Sequence, residues 1–273
     1  METLQAGLRS LVRILIFLCY LLGFLLCAFA IHLVTQDPDQ RKRRFSAHAT
    51  WWARLACRTF SIRVIVTNPP PQDLAGLVIG NHLGFIDILA CSSVHPNLFV
   101  TSKEMRETPV LGLITEMGGC IYVERRSRLN IVNELGQITE HLKKGFRVVL
   151  YPEATSTNGE TVLPFKRTLL TAAAQAGVPV IPYVFNFREV NGEPGFPLKY
   201  RDSVCWYGDI SFHQSIWRAF GLKSLVCELE FLSPVYTRTE DDRAVVADAL
   251  REMILGKYTP PQTSPAGEVA WSR

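Results

Sequence analysis

The sequence predicts an α/β domain with a largely parallel sheet flanked by helices, preceded by an N-terminal membrane helix and an interfacial amphipathic helix. Three observations predict it. Short apolar runs recur at Ile62–Val66, Leu77–Ile79, Leu98–Val100, Ile121–Val123, Val148–Tyr151, Val180–Phe185 and Leu225–Phe231. Helical patterns lie between several of them, and strands alternating with helices argue for parallel pairing. Finally, the stretch Ile14 to Val34 contains no Asp, Glu, Lys or Arg.

As a helix this stretch would reach about 31 Å, close to the hydrocarbon thickness of a bilayer. A cleaved leader competes with a retained anchor, because Arg9 and Arg13 precede the run and Ala28-Phe29-Ala30 resembles a cleavage site. The run continues through Ile31, Leu33 and Val34 into Arg41-Lys42-Arg43-Arg44, which favours the anchor. The basic cluster puts the following domain on the cytoplasmic face of the inner membrane and offers a surface for anionic headgroups. Phe45 to Phe60 reads as a helix whose Trp51 and Trp52 suit an interface or a domain face equally well.

Further along, Ile131, Leu135, Ile138 and Leu142 step by four and three, and Gly145 follows Lys143-Lys144, as at a helix end. Phe165 to Ala176 reads as a helix stopped by Gly177. Another is expected from Glu240 to Leu255, capped by Thr239 with Asp242 three residues on. Val178-Pro179-Val180-Ile181-Pro182 reads as a wall or an edge. The 273 residues thus divide into anchoring helices (1–61), one large domain (62–258) and a disordered tail (259–273).

Composition excludes some classes. Seven cysteines are scattered without a CxxC pair, so neither a zinc site nor a disulfide framework is suggested. No metal site is visible. A net charge of +4 without a nucleic-acid motif does not point to nucleic acid.

Chemistry concentrates at the strand ends. Behind Leu77–Gly80 comes Asn81-His82-Leu83-Gly84-Phe85-Ile86-Asp87. On one continuous helix His82 and Asp87 would stand about 140° apart, so they meet only if the chain turns between them. Gly84 permits that turn. A histidine held by a carboxylate is a general base of fixed tautomer; the competing reading is a structural histidine beside a capping aspartate. Gly118-Gly119 precedes a strand that ends at Arg125-Arg126, where arginine could grip a phosphate or merely face solvent. Tyr151-Pro152-Glu153-Ala154-Thr155-Ser156-Thr157 follows another strand and offers one carboxylate and three hydroxyls, or a polar turn.

In this order, His82–Asp87, Gly119–Arg125, Pro152–Ser156 and Val178–Pro182 resemble the four motifs of the glycerolipid acyltransferases, which include the bacterial 1-acylglycerol-3-phosphate acyltransferases. The resemblance covers Ile62 to Phe231. Thr155–Gly159, Leu163–Lys166 and Trp206-Tyr207-Gly208-Asp209 further resemble a subgroup that includes lyso-ornithine lipid acyltransferases. One departure is Ala154, where the family pattern has glycine. If that position needs positive φ, alanine costs about 1 kcal/mol or more.

The resemblance implies transfer of a fatty acyl group from acyl-CoA or acyl carrier protein to a lysolipid hydroxyl, without a cofactor. His82 would be the base and Asp87 its orienting acid. Arg125 and Glu153 would bind the acceptor headgroup, with Lys103, Arg126 and Thr155 as helpers and Gly119 as a guess for the oxyanion donor. No Gly-x-Ser-x-Gly elbow supplies a nucleophile, so the acceptor itself attacks. A tethered hydrolase using His82 on water and a silent lipid-binding protein are the competing classes.

Overall fold

The computed structural model describes residues 2–124 and 131–262. The chain begins with two long helices, α1 (Glu2–Val34) and α2 (Pro38–Thr59). Then come β1 (Ile62–Thr67), β2 (Gly76–Ile79), α3 (Phe85–Val94), β3 (Leu98–Ser102), α4 (Lys103–Glu107), α5 (Leu111–Met117), β4 (Ile121–Val123), α6 (Ile131–Lys143) and β5 (Arg147–Leu150). They are followed by α7 (Thr171–Ala176), β6 (Val180–Val190), β7 (Glu193–Pro194), α8 (Arg201–Val204), α9 (Phe212–Gly221), β8 (Leu225–Phe231) and α10 (Arg243–Leu255).

The sheet runs β1-β8-β6-β2-β5-β3-β4, with β7 paired to β6. Its neighbours are parallel except at β6–β8 and β6–β7. Strand β2 is central and buried throughout, so side-chain alternation sends its residues to two different cores. Val78 joins residues of α2, α3 and α9 on one face. Leu77 and Ile79 join α6, α7 and α10 on the other.

Helix α1 is long and apolar enough to cross a membrane, and only 11% of its most apolar window is buried, so it is not a core helix. One face is docked nonetheless. Arg13 donates through Nη1 to the carbonyls of Phe220 (3.2 Å) and Leu222 (2.6 Å). Its Nη2 reaches Lys223 O at 3.3 Å, so the guanidinium holds the carbonyl end of α9. Further along, Gly23 lets Trp52 approach α1 closely, since a Cβ there would fall 2.6 Å from the indole, and Ala28 is fully buried. The opposite face carries exposed Leu8, Leu11, Leu15, Leu18, Leu22 and Leu26.

Several sequence expectations are corrected. Helix α2 starts at Pro38, with Asp37 accepting from Gln40 N, so Arg41–Arg44 lie on a helix. Three of those four residues meet protein partners: Lys42 bonds His141, Arg43 stacks on Phe146, and Arg44 bonds Thr35. The segment before Thr171 is not helical, because it is tied elsewhere; Lys166 N donates to Pro152 O at 2.7 Å. The cap of α10 is Asp242, which accepts from Ala244 N and Val245 N, not Thr239. Val180–Pro182 is no edge. It lies in β6, the third strand of seven, where Pro182 still offers its carbonyl to Leu232 N. The tail is docked through Gln262, whose N–H and C=O bond Phe196 and Leu198, while 263–273 lie outside the described residues.

Candidate active site

Strand β2 releases the chain at Gly80 and Asn81, and both are fitted to strand β6. A Cβ on Gly80 would fall 2.4 Å from the Tyr183 ring, so glycine alone admits that tyrosine. The Asn81 carboxamide accepts from Phe185 N (2.8 Å) and donates to Phe185 O (3.0 Å), continuing the ladder with a side chain. His82 therefore leaves the carboxyl end of a central strand from a rigid base, where open α/β sheets place their sites.

The chain then turns through Leu83 and Gly84 into α3, which brings His82 and Asp87 together. His82 Nδ1 donates to Asp87 Oδ1 at 3.0 Å. Asp87 is fully buried in the first turn of α3, where the positive end of the helix favours a carboxylate. Its Oδ2 also accepts from Leu83 N (2.6 Å) and Gly84 N (2.7 Å). An imidazole that donates through Nδ1 keeps a lone pair on Nε2, the form a general base needs. The imidazole also lies on the Tyr151 ring, with centroids 4.1 Å apart and planes 16° apart. Tyr151 is held in turn by the hydroxyl of Tyr183, which donates to it at 3.1 Å.

The loop after β5 clamps His82 from behind. Glu153 accepts from His82 N at 2.8 Å on Oε1 and from Leu163 N at 2.7 Å on Oε2. Thr157 N donates to His82 O at 3.0 Å, so both backbone groups of His82 are held by one loop. Glu153 is 4% exposed, and burial pushes its carboxyl up to about 7 against the pull of the two amides. The following residue, Ala154, stands at φ 60°, in the left-handed region where glycine is the usual occupant.

His82, Tyr151, Thr155 and Ser156 stand at one wall of an apolar cavity of about 470 Å³. The cavity passes between α1, α2 and α3, lined there by Phe17, Phe24, Ala53, Ala56 and Leu89, and reaches Asn97 near the start of β3. A pocket of this size and character suits a fatty chain.

The other candidate residues are dispersed. Glu153 was assigned to the acceptor headgroup; in the structure both its oxygens are taken by backbone amides, behind His82. Gly119 precedes β4, so it lies at the opposite end of the parallel strands from His82, and its N–H is spent on Glu116 O. That removes it as the oxyanion donor. Lys103 is half-exposed and paired with Glu124 at 3.2 Å. Thr155 is exposed and lines the cavity. Arg125 and Arg126 lie outside the described residues; strand β4 ends at Val123, on the same sheet edge as His82. Sequence reasoning missed Tyr151 as a partner of His82, because a tyrosine closing an apolar strand gives no sign of what it stacks on. It also left Trp206 without a place, although the motif around it was noticed.

A parallel sheet that delivers a histidine–carboxylate pair beside an apolar cavity can apply a general base to a molecule with an apolar chain. Comparison with known proteins identifies the family. The family model "Acyltransferase" matches residues 61–186. A 1-acyl-sn-glycerol-3-phosphate acyltransferase of Neisseria meningitidis is 30% identical over 190 residues, 69% of this chain and 72% of that one. A lyso-ornithine lipid O-acyltransferase of Brucella abortus is 27% identical over 208 residues, 74% and 78% of the two chains. The crystal structure of a 1-acyl-sn-glycerophosphate acyltransferase from Thermotoga maritima has the same fold, with a TM-score of 0.67 at 19% identity over 94% of this chain and 95% of that one. The chain belongs to the glycerolipid acyltransferase family, and its activity is acyl transfer to a lysolipid.

Proposed function

We propose that this protein transfers a fatty acyl group from acyl-CoA or acyl carrier protein to the free hydroxyl of 1-acyl-sn-glycerol-3-phosphate, giving phosphatidic acid. The observation that carries the mechanism is His82, held through Nδ1 by Asp87 at 3.0 Å beside the apolar cavity. Nε2 takes the proton of the lipid hydroxyl as its oxygen attacks the thioester carbonyl. Asp87 stabilises the imidazolium that forms. The tetrahedral intermediate then collapses, the C–S bond breaks, and the thiolate takes the proton back from His82. Glu153 acts as a positioning residue through the His82 peptide, and Arg125, helped by Arg126 and Lys103, binds the acceptor phosphate.

We further infer that α1 lies along one leaflet. Its own domain covers one face from Ser10 to Ala28, which leaves the leucine face for lipid. Such a helix places the cavity beside the membrane from which a lysolipid comes. The side is the cytoplasmic face of the inner membrane, where thioester donors are made.

A second acceptor, a lyso-ornithine lipid, is favoured by the Brucella abortus relative and by the Trp206–Asp209 segment. One experiment decides between them. Membranes containing the protein are offered lysophosphatidate and lyso-ornithine lipid with labelled acyl-CoA, and the products are identified. Label in phosphatidic acid supports the first reading, whereas label only in ornithine lipid overturns it.

A further inference from the structure

The segment Cys205–Ser211 has no part in the mechanism above, yet it is bonded to both loops that build the site. Trp206 N donates to Leu83 O at 2.8 Å, the carbonyl directly after His82. Trp206 O accepts from the Ser156 hydroxyl, on the loop that clamps His82. Gly84 makes room for this crossing, since a Cβ there would lie 3.0 Å from Trp206 N and 3.1 Å from its Cβ. The indole is fixed as well. Its Nε1 donates to Ile210 O at 2.7 Å, and its ring packs on Phe212 at 5.3 Å between centroids. Phe212 in turn meets Phe85 edge-on at 6.1 Å. Trp206, Phe212 and Phe85 all line the cavity that His82 faces.

We propose that Trp206 is a positioning residue that walls the acceptor side of the site and keeps water from competing with the lipid hydroxyl for His82. The inference rests on the acyl-transfer reading above. Its logic is that a base able to activate a lipid hydroxyl can equally activate water. In that leak the water oxygen attacks the thioester carbonyl as its proton passes to Nε2. The C–S bond then breaks, and the thiolate leaves with the proton, giving fatty acid and free thiol. Exclusion of water is therefore the element of selectivity that the dyad cannot supply. An aromatic wall bonded through its main chain to both catalytic loops supplies it, and it also fixes the separation of those loops.

The test uses full-length protein in lipid vesicles, with acyl-CoA as the thioester. Thiol release is measured with and without lysophosphatidate or lyso-ornithine lipid, for the wild type, Trp206→Ala, Trp206→Phe and Ser156→Ala. In Trp206→Ala the ratio of hydrolysis to transfer is expected to rise by about tenfold or more. Trp206→Phe, which keeps a ring against Phe212, should restore most of the wild-type ratio. An unchanged ratio in Trp206→Ala overturns the proposal, whether or not the overall rate falls, because a purely structural defect lowers both reactions together. If Trp206→Ala does not fold, Ser156→Ala decides, since it frees the wall from one loop and keeps the indole. A raised ratio there supports the proposal and an unchanged one overturns it. A wild-type protein that hydrolyses acyl-CoA but acylates neither lipid overturns the acceptor assignments and this inference together.

Discussion

The two helical layers that sandwich the sheet are built to opposite specifications. On one face, Ile138, Leu142, Ala172, Ala173, Leu250 and Ile254 of α6, α7 and α10 pack without exposure against Leu77 and Ile79. On the other face α1, α2 and α3 stand apart far enough to leave the cavity of about 470 Å³, and the outer side of α1 is left apolar and exposed. The same sheet therefore has a closed layer that holds it together and an open layer with room for an apolar chain. Filled interiors are rigid and costly to deform, whereas a cavity leaves dispersion contacts unmade until a ligand supplies them. The site lies where the open layer meets the carboxyl edge of the sheet.

The largest expected effect comes from the dyad at that junction. His82→Ala should lower kcat by about 10²- to 10⁴-fold while the thermal transition stays near wild type, as a lost general base predicts. Transfer at the wild-type rate would rule out the mechanism. The two layers should then respond in opposite ways to a change of volume. In the closed layer, Ile138→Ala should cost about 2–5 kcal/mol in denaturant unfolding without altering which acyl chains are used. In the open layer, Ala56→Phe should shift the preferred acyl chain to shorter lengths, read from competition between acyl-CoAs, with little loss of stability. If both variants changed stability alone, the open layer would be no chain site.

Glu153 gives a smaller, pH-dependent effect. Burial raises its carboxyl from the ordinary 4.5 to about 7, so the folded protein binds this proton more tightly than the unfolded chain does. That stabilisation is fully present below the unfolded value and is lost as pH rises through about 7, an effect of about 3 kcal/mol at most. Glu153→Gln should flatten the pH profile of the unfolding midpoint between pH 4.5 and 7.5 and also lower kcat, because one amide would then face an NH₂ group. A pH profile identical to wild type would remove Glu153 as its source. The smallest effect is expected at Ala154, where φ is 60°. Ala154→Gly should stabilise the protein by about 1 kcal/mol or less, because relief of the left-handed strain is partly offset by the greater entropy glycine loses on folding. A destabilised variant would show that the alanine methyl makes a compensating contact.

Much of this was legible beforehand. Each of the seven predicted strands is present within a few residues of its expected bounds, because a run of buried apolar residues between turn formers is a local signal. The turn between His82 and Asp87 was legible too, from their spacing and Gly84. Glu153 and Gly119 were not, and for the same reason: a motif shows which residues are clustered along the chain but not the direction each one faces. Glu153 reaches a backbone amide 71 residues away and is used up there. Gly119 precedes β4, at the edge of the sheet opposite the one from which His82 emerges.

Local patterning therefore settled the strands and their largely parallel pairing and left His82 and Asp87 able to meet across a turn, since periodicity and turn chemistry act over a few residues. The cavity, the docking of α1 through Arg13, the Tyr151 stack and the Trp206 wall came from packing. Each depends on which distant surfaces meet, and that is set by the close fit of the whole core rather than by any one segment.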